Sequence, residues 1–170
     1  EDLHSVAVWT LGYPASAVSF IGNSMDLLDR GANCFKRLLA EPALAEGKII
    51  FVGHSMGGLV SKSILRCAET EAQSCSQARS FGERIVGLAF LGTPHFGSFW
   101  SNLNFLRSNA SKSLEQHSPP LRELNNWYRQ HARIKPVKSL VLVESQQTFG
   151  ARIVNPTSSD PGVIEQAIHV

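Results

Sequence analysis

The apolar run Lys48-Ile49-Ile50-Phe51-Val52 ends directly on Gly53-His54-Ser55-Met56-Gly57-Gly58. Behind the glycines, Leu59, Val60, Ile64, Cys67 and Ala68 recur in helical phase. A buried strand that stops on one serine between glycines and turns at once into a helix leaves few architectures open. By composition alone, a G-x-S-x-G pattern arises in roughly one chain of this length in twenty. The context therefore carries the argument, because strand, tight turn and helix are what a nucleophile elbow requires.

The chemistry accounts for the residue types. So tight a turn forces Ser55 into a sparsely populated backbone region at a cost of about 1–3 kcal/mol. Gly53 and Gly57 are expected to remove the Cβ atoms that would collide there. The serine hydroxyl is lifted clear of the sheet, and the backbone N–H of Met56, at the helix N-terminus, is placed where an oxyanion would form. A phosphate-binding loop would need GxxxxGK[ST], and a dinucleotide site would need GxGxxG with an acid some twenty residues on; the chain has neither.

The rest of the chain alternates strand and helix. Val6–Leu11 is expected to be a buried strand closed by Gly12-Tyr13-Pro14, and a helix capped by Asn23 or Ser24 follows with Leu27, Leu28, Ala32, Phe35, Leu38 and Leu39 on one face. The polar stretch from Glu69 to Glu83 leads to Ile85–Leu91, too continuously apolar to face water on either side. A helical insert, 96–133, contains Trp100, Phe105 and Trp127, is broken by Pro119-Pro120, and is expected to cap the site or to be core. Val137–Val143 gives a further strand, and a short one is expected near Ile153-Val154. The fold class is α/β, a mostly parallel sheet with helices on both faces and a helical cap insert, in a single domain over 1–170.

GHSMGG, the following LVSKSIL, and FLGTPHFGS after the next strand resemble the α/β-hydrolase lipase and esterase group that includes GPI inositol-deacylases and serine-active-site-containing proteins. The likeness runs from Tyr13 to the tail. It implies Ser55 as nucleophile and an acid after a later strand, where Glu144 lies at a strand's carboxyl end and Asp160 is the rival. Triad order puts the base after the acid, and His169 is the candidate there. The group carries its base in a D-x-D-H-like segment after a stretch similar to AIHV, which would begin just past Val170. The expectation is thus a truncated domain whose catalytic histidine follows residue 170, with His169 a pocket neighbour. The second oxyanion donor would come from a histidine-glycine loop before Glu1. His54 is expected beside the elbow and His95 along the pocket; as base, His95 would break the order. His4, His117, His131, Asp26 and Asp29 read as surface.

Composition narrows the partners. A net charge of +2 with scattered arginines and lysines gives no footprint for nucleic acid. No apolar run approaches the roughly 20 residues of a membrane span, which leaves peripheral membrane contact open. Cys34, Cys67 and Cys75 lack CxxC spacing and suggest reduced thiols in a cytoplasmic setting, with no metal and no cofactor implied. The expected function is hydrolysis of a lipid or other acyl ester through an acyl-serine; the alternative is a non-catalytic binding or signalling module on the same fold.

Overall fold

The computed structural model describes residues 5–13, 27–96, 119–135, 137–143, 161–162 and 168–169. Among them, four parallel strands form one sheet in chain order: β1 (Ile49–His54), β2 (Ile85–Leu91), β3 (Lys138–Val143) and β4 (Ile168–His169). Four helices accompany them, α1 (Leu27–Leu39), α2 (Met56–Glu71), α3 (Ser76–Arg84) and α4 (Pro119–Ile134), with a 3-10 turn at Pro42–Leu44.

Register divides the sheet into two unlike faces. Phe51 pairs with Leu88 and Leu88 with Ser139, while Gly53 pairs with Phe90 and Phe90 with Val141. This face packs beneath the described helices, and Leu88, Phe90 and Val141 are buried with Leu59, Ile64, Leu65, Leu121 and Leu124 in one core. Tyr128 of α4 closes it, its ring edge-on to Phe90 and its hydroxyl 2.7 Å from the Ser139 hydroxyl. Burial pushes the Tyr128 phenol up to about 12, an effect the Ser139 hydrogen bond opposes. The other face carries Ile50, Val52 and Leu140, which remain exposed.

Helix α2 is the hub. A Cβ on Gly31 of α1 would lie 2.2 Å from the Ser63 Cβ, so the two helices meet backbone to backbone at that point. On its far side α2 is tied to α4 by the Arg66–Glu123 ion pair, and Lys135 just beyond α4 reaches both Glu69 carboxylate oxygens at 2.6 and 2.7 Å.

Several expectations are corrected. Val6–Leu11 forms no strand: Val8 is 89% exposed, and only Leu11 of this stretch, with Tyr13 just beyond it, packs against the core. An apolar run becomes a strand only when a neighbour pairs its N–H and C=O groups, and this segment pairs with none of the four. The polar stretch after Glu69 is helical instead. α2 runs on to Glu71, and α3 begins at a Cys75 N-cap whose sulfur accepts from the Ala78 N–H, burying Ala78, Phe81 and Gly82 beneath a polar outer face. Over Pro119–Ile134 the insert contributes to the core, because Leu121, Leu124 and Tyr128 recur at helical spacing and are fully buried. His131, expected at the surface, is buried and stacks on Trp127 at 5.0 Å between ring centres. Asp29 is exposed as expected, whereas Asn23, Ser24, Asp26, Ile153-Val154 and the rest of the insert, 97–118, lie outside the described residues.

The Gly31–Ser63 approach gives a direct test. Gly31→Ala should lose about 1–2 kcal/mol in urea unfolding, overpacking outweighing the helix propensity that alanine gains. In a Ser63→Gly background the same change should lose much less. Equal losses in both backgrounds would show that the two positions do not meet.

Candidate active site

At the end of β1 the chain turns into α2 through one residue. Ser55 has φ 51° and ψ −124°, and it is the only residue other than glycine with positive φ among those described. A side chain in that region costs about 1–3 kcal/mol and persists only where its surroundings over-determine it. The surroundings here are specific. The Ser55 N–H donates to the Leu91 carbonyl oxygen at 2.8 Å, and the Ser55 carbonyl accepts from the Gly58 N–H at 3.2 Å. The half-buried Ser55 side chain makes no capping hydrogen bond to α2. Its hydroxyl is therefore not spent on the helix it precedes. Met56 opens α2, where first-turn N–H groups lack partners within the helix and the dipole is positive.

The glycines divide in a way the pattern does not foretell. A Cβ at Gly53 would sit 2.5 Å from the Gly58 nitrogen and 2.6 Å from its Cα, so strand end and helix start touch through bare backbone. At Gly58 a Cβ would fall 2.2 Å from Thr93 Oγ1 and 2.9 Å from the Phe90 ring. Gly57 was expected to share this duty and does not, since its nearest neighbour, the Tyr13 hydroxyl, would be in ordinary contact at 3.4 Å. Gly58 takes its place. Thr93, which packs on Gly58, also donates from Oγ1 to the Gly53 carbonyl at 3.4 Å, so the segment after β2 supports both arms of the turn.

The histidines occupy different places. His54 is exposed and alternates in phase with exposed Ile50 and Val52 on the sheet face away from the helices. His95 is wholly buried, with its ring edge-on to Phe90 at 4.7 Å and its Nδ1 2.8 Å from the Lys62 ammonium. Burial, and then the Lys62 charge, hold His95 well below the ordinary histidine range. It lies against α2 through Lys62 and against β2 through Phe90. Glu144 follows Val143 of β3 and lies outside the described residues, as do Asp160, His4 and His117. His169 ends β4, its backbone in register with Val143. Gly58, Thr93, Lys62 and Asn125 are the residues near the turn that sequence reasoning missed.

With this geometry in place, likeness to known proteins acquires meaning. The profile of the family described as "Putative serine esterase (DUF676)" matches residues 30–118, more than half of the chain. Protein SERAC1 of Mus musculus is 28% identical over 151 residues, covering 85% of this chain and 21% of its own length. Protein SERAC1 of Danio rerio is 29% identical over 119 residues, covering 66% of this chain and 18% of its own length. The chain thus spans about a fifth of these relatives. In three dimensions it is similar to the lipase BlEst2 of Bacillus licheniformis in its mature form, with TM-score 0.59 and 20% identity, covering 85% of this chain and 64% of that one. It is also similar to the phospholipase PlaB of Legionella pneumophila, with TM-score 0.62 and 15% identity, covering 81% of this chain and 33% of that one. The fold is that of the α/β hydrolases.

Two measurements probe the site's construction. Gly58→Ala should cost about 1–3 kcal/mol in urea unfolding through its collision with Thr93, whereas Gly57→Ala should be neutral or gain up to about 1 kcal/mol of helix propensity. The reverse order would contradict the packing described. The second concerns pH. A histidine held neutral in the folded state, as His95 is, leaves the unfolded chain to take up the proton near pH 6.5. Its contribution to stability is therefore full above about pH 6.5 and declines below it, by at most about 1.4 kcal/mol per pH unit. Moving from about pH 7.5 to about pH 5.5 should lower the urea midpoint more in the native chain than in His95→Asn, which cannot titrate. An equal drop in both would show that His95 does not contribute.

Proposed function

The chain belongs to that serine esterase family, and from this premise we propose that it carries the nucleophile of a hydrolase that cleaves a lipid or other acyl ester through an acyl-serine. The observation that supports this most is the backbone of Ser55, strained at φ 51° between a buried strand and a helix N-terminus, with its side chain free of the helix cap. Strain of this kind at a serine has a use when it aims the hydroxyl at a substrate carbonyl.

In the proposed reaction a general base takes the Ser55 proton as Oγ attacks the ester carbonyl. The negative charge that develops on the carbonyl oxygen is met by the Met56 N–H, a donor of a kind worth roughly 3–4 kcal/mol in the transition state. Collapse expels the alcohol, which takes the proton from the base, and water releases the acid from the acyl-serine by the same steps. Glu144 is the proposed acid that orients the base. Three strand spacings separate β1 from β4, about 14 Å, so a histidine within β4 is poorly placed to touch Ser55. Triad order places the proposed base after Glu144 in the chain, with His169 as its neighbour. A lipid or acyl substrate fits the lipase and phospholipase likeness, and approach to a membrane surface would be peripheral, since no described helix is long and apolar enough to cross a bilayer.

A fluorophosphonate probe incubated with the full-length protein should attach to Ser55, located by peptide mass spectrometry. Ser55→Ala should abolish labelling. A folded full-length protein that stays unlabelled, or labels elsewhere, would overturn the proposal.

A further inference from the structure

Lys62 is wholly buried, an unusual place for an ammonium group. Its Nζ donates to Asn125 Oδ1 of α4 at 2.6 Å and to His95 Nδ1 at 2.8 Å, and it lies over the faces of Tyr128 and Phe90 at 4.6 and 5.3 Å. An ammonium can only donate. His95 Nδ1 is therefore an acceptor, and the ring's proton sits on Nε2. Asn125 likewise turns its oxygen to Lys62. His95 Nε2 and Asn125 Nδ2 are buried with no hydrogen-bond partner among the described residues.

The placement matters more than the bonds taken singly. Gly58 and Lys62 are four residues apart on α2 and so share one helix face. Thr93 and His95 are two apart on the segment leaving β2. Gly58 meets Thr93, and Lys62 meets His95, so helix and segment are joined at two successive points. The first joint also holds the Gly53 carbonyl, and the second is extended through Asn125 into α4. An apolar side chain at position 62 would avoid the cost of desolvating an ion, which points to a role in fixing geometry over one in raising stability.

We propose that Lys62 is a positioning residue for the nucleophile: through His95 and Asn125 it locks α2 to the β2 exit and to α4, and thereby holds Ser55 in its strained conformation. As a statement about catalysis this rests on the esterase reading above; as a statement about the elbow's rigidity it does not.

The test separates stability from positioning. Removing both sides of a buried polar contact in favour of apolar groups of similar size can leave stability nearly unchanged. The variant Lys62→Met/His95→Phe/Asn125→Leu is made in the full-length protein and compared with the native form in urea unfolding, in amide exchange at Ser55 and Gly58, and in the rate of fluorophosphonate labelling. Near-native stability is expected, with elbow amides exchanging at least about tenfold faster and labelling at least about tenfold slower, with saturation by the probe little changed. Native exchange and native labelling in a stable triple variant would overturn the proposal. Should the triple variant not fold, His95→Asn, which keeps an acceptor near the Nδ1 position, should hold elbow exchange within about threefold of native while His95→Leu speeds it about tenfold; equal exchange in the two would overturn it equally. If the native protein takes no label but the exchange differences appear, the esterase reading fails and the locking role stands.

Discussion

A serine with positive φ cannot hold its conformation by itself, and most of what surrounds Ser55 exists in a form that lets it do so. The backbone pays about 1–3 kcal/mol at that residue. What opposes relaxation is the Ser55 N–H bond to the Leu91 carbonyl, the bare contact of Gly53 with Gly58, and Thr93 seated against both. The first and last of these join the turn to β2 and the segment after it, and the second closes β1 directly on α2. The parallel register of β1 with β2, with His54 level with Leu91, is thus the frame on which the turn is stretched.

A cluster of buried polar groups also lies where α2, the segment after β2 and α4 meet. The inner sheet face and the helices make a dry layer, and Lys62, His95 and Asn125 are embedded in it with Phe90 and Tyr128 around them. In a low-dielectric interior, directional contacts fix orientation more sharply than apolar packing does, at the expense of desolvation. The neutral state of His95 follows from the same arrangement, since burial and the adjacent ammonium both disfavour a second proton.

How much of this was visible in the residues depends on whether the signal was local. β2 was read to its ends, Ile85 and Leu91, because the run is apolar from one end to the other. The strand, tight turn and helix around Ser55 were legible because strand, glycines and helix follow one another without a gap. The segment Val6–Leu11 misled because apolar composition says nothing of whether a partner strand stands beside it. α3 was hidden by the opposite imbalance, three buried residues beneath a polar exterior and a cysteine in place of the usual oxygen cap. Gly57 and Gly58 cannot be told apart in the sequence, as the difference lies in Thr93 and Phe90, which are distant in the chain. Lys62 could not be found at all, since a lysine within a helix reads as solvated until its neighbours in space are known.

The hydrogen bond from Ser55 to Leu91 also sets a schedule. On a growing chain the serine emerges well before the strand that must accept its amide, and until then nothing prevents the turn from relaxing into an ordinary conformation. The strained turn is thereby withheld from nascent and unfolded forms, and appears only when two separately synthesised stretches have come together.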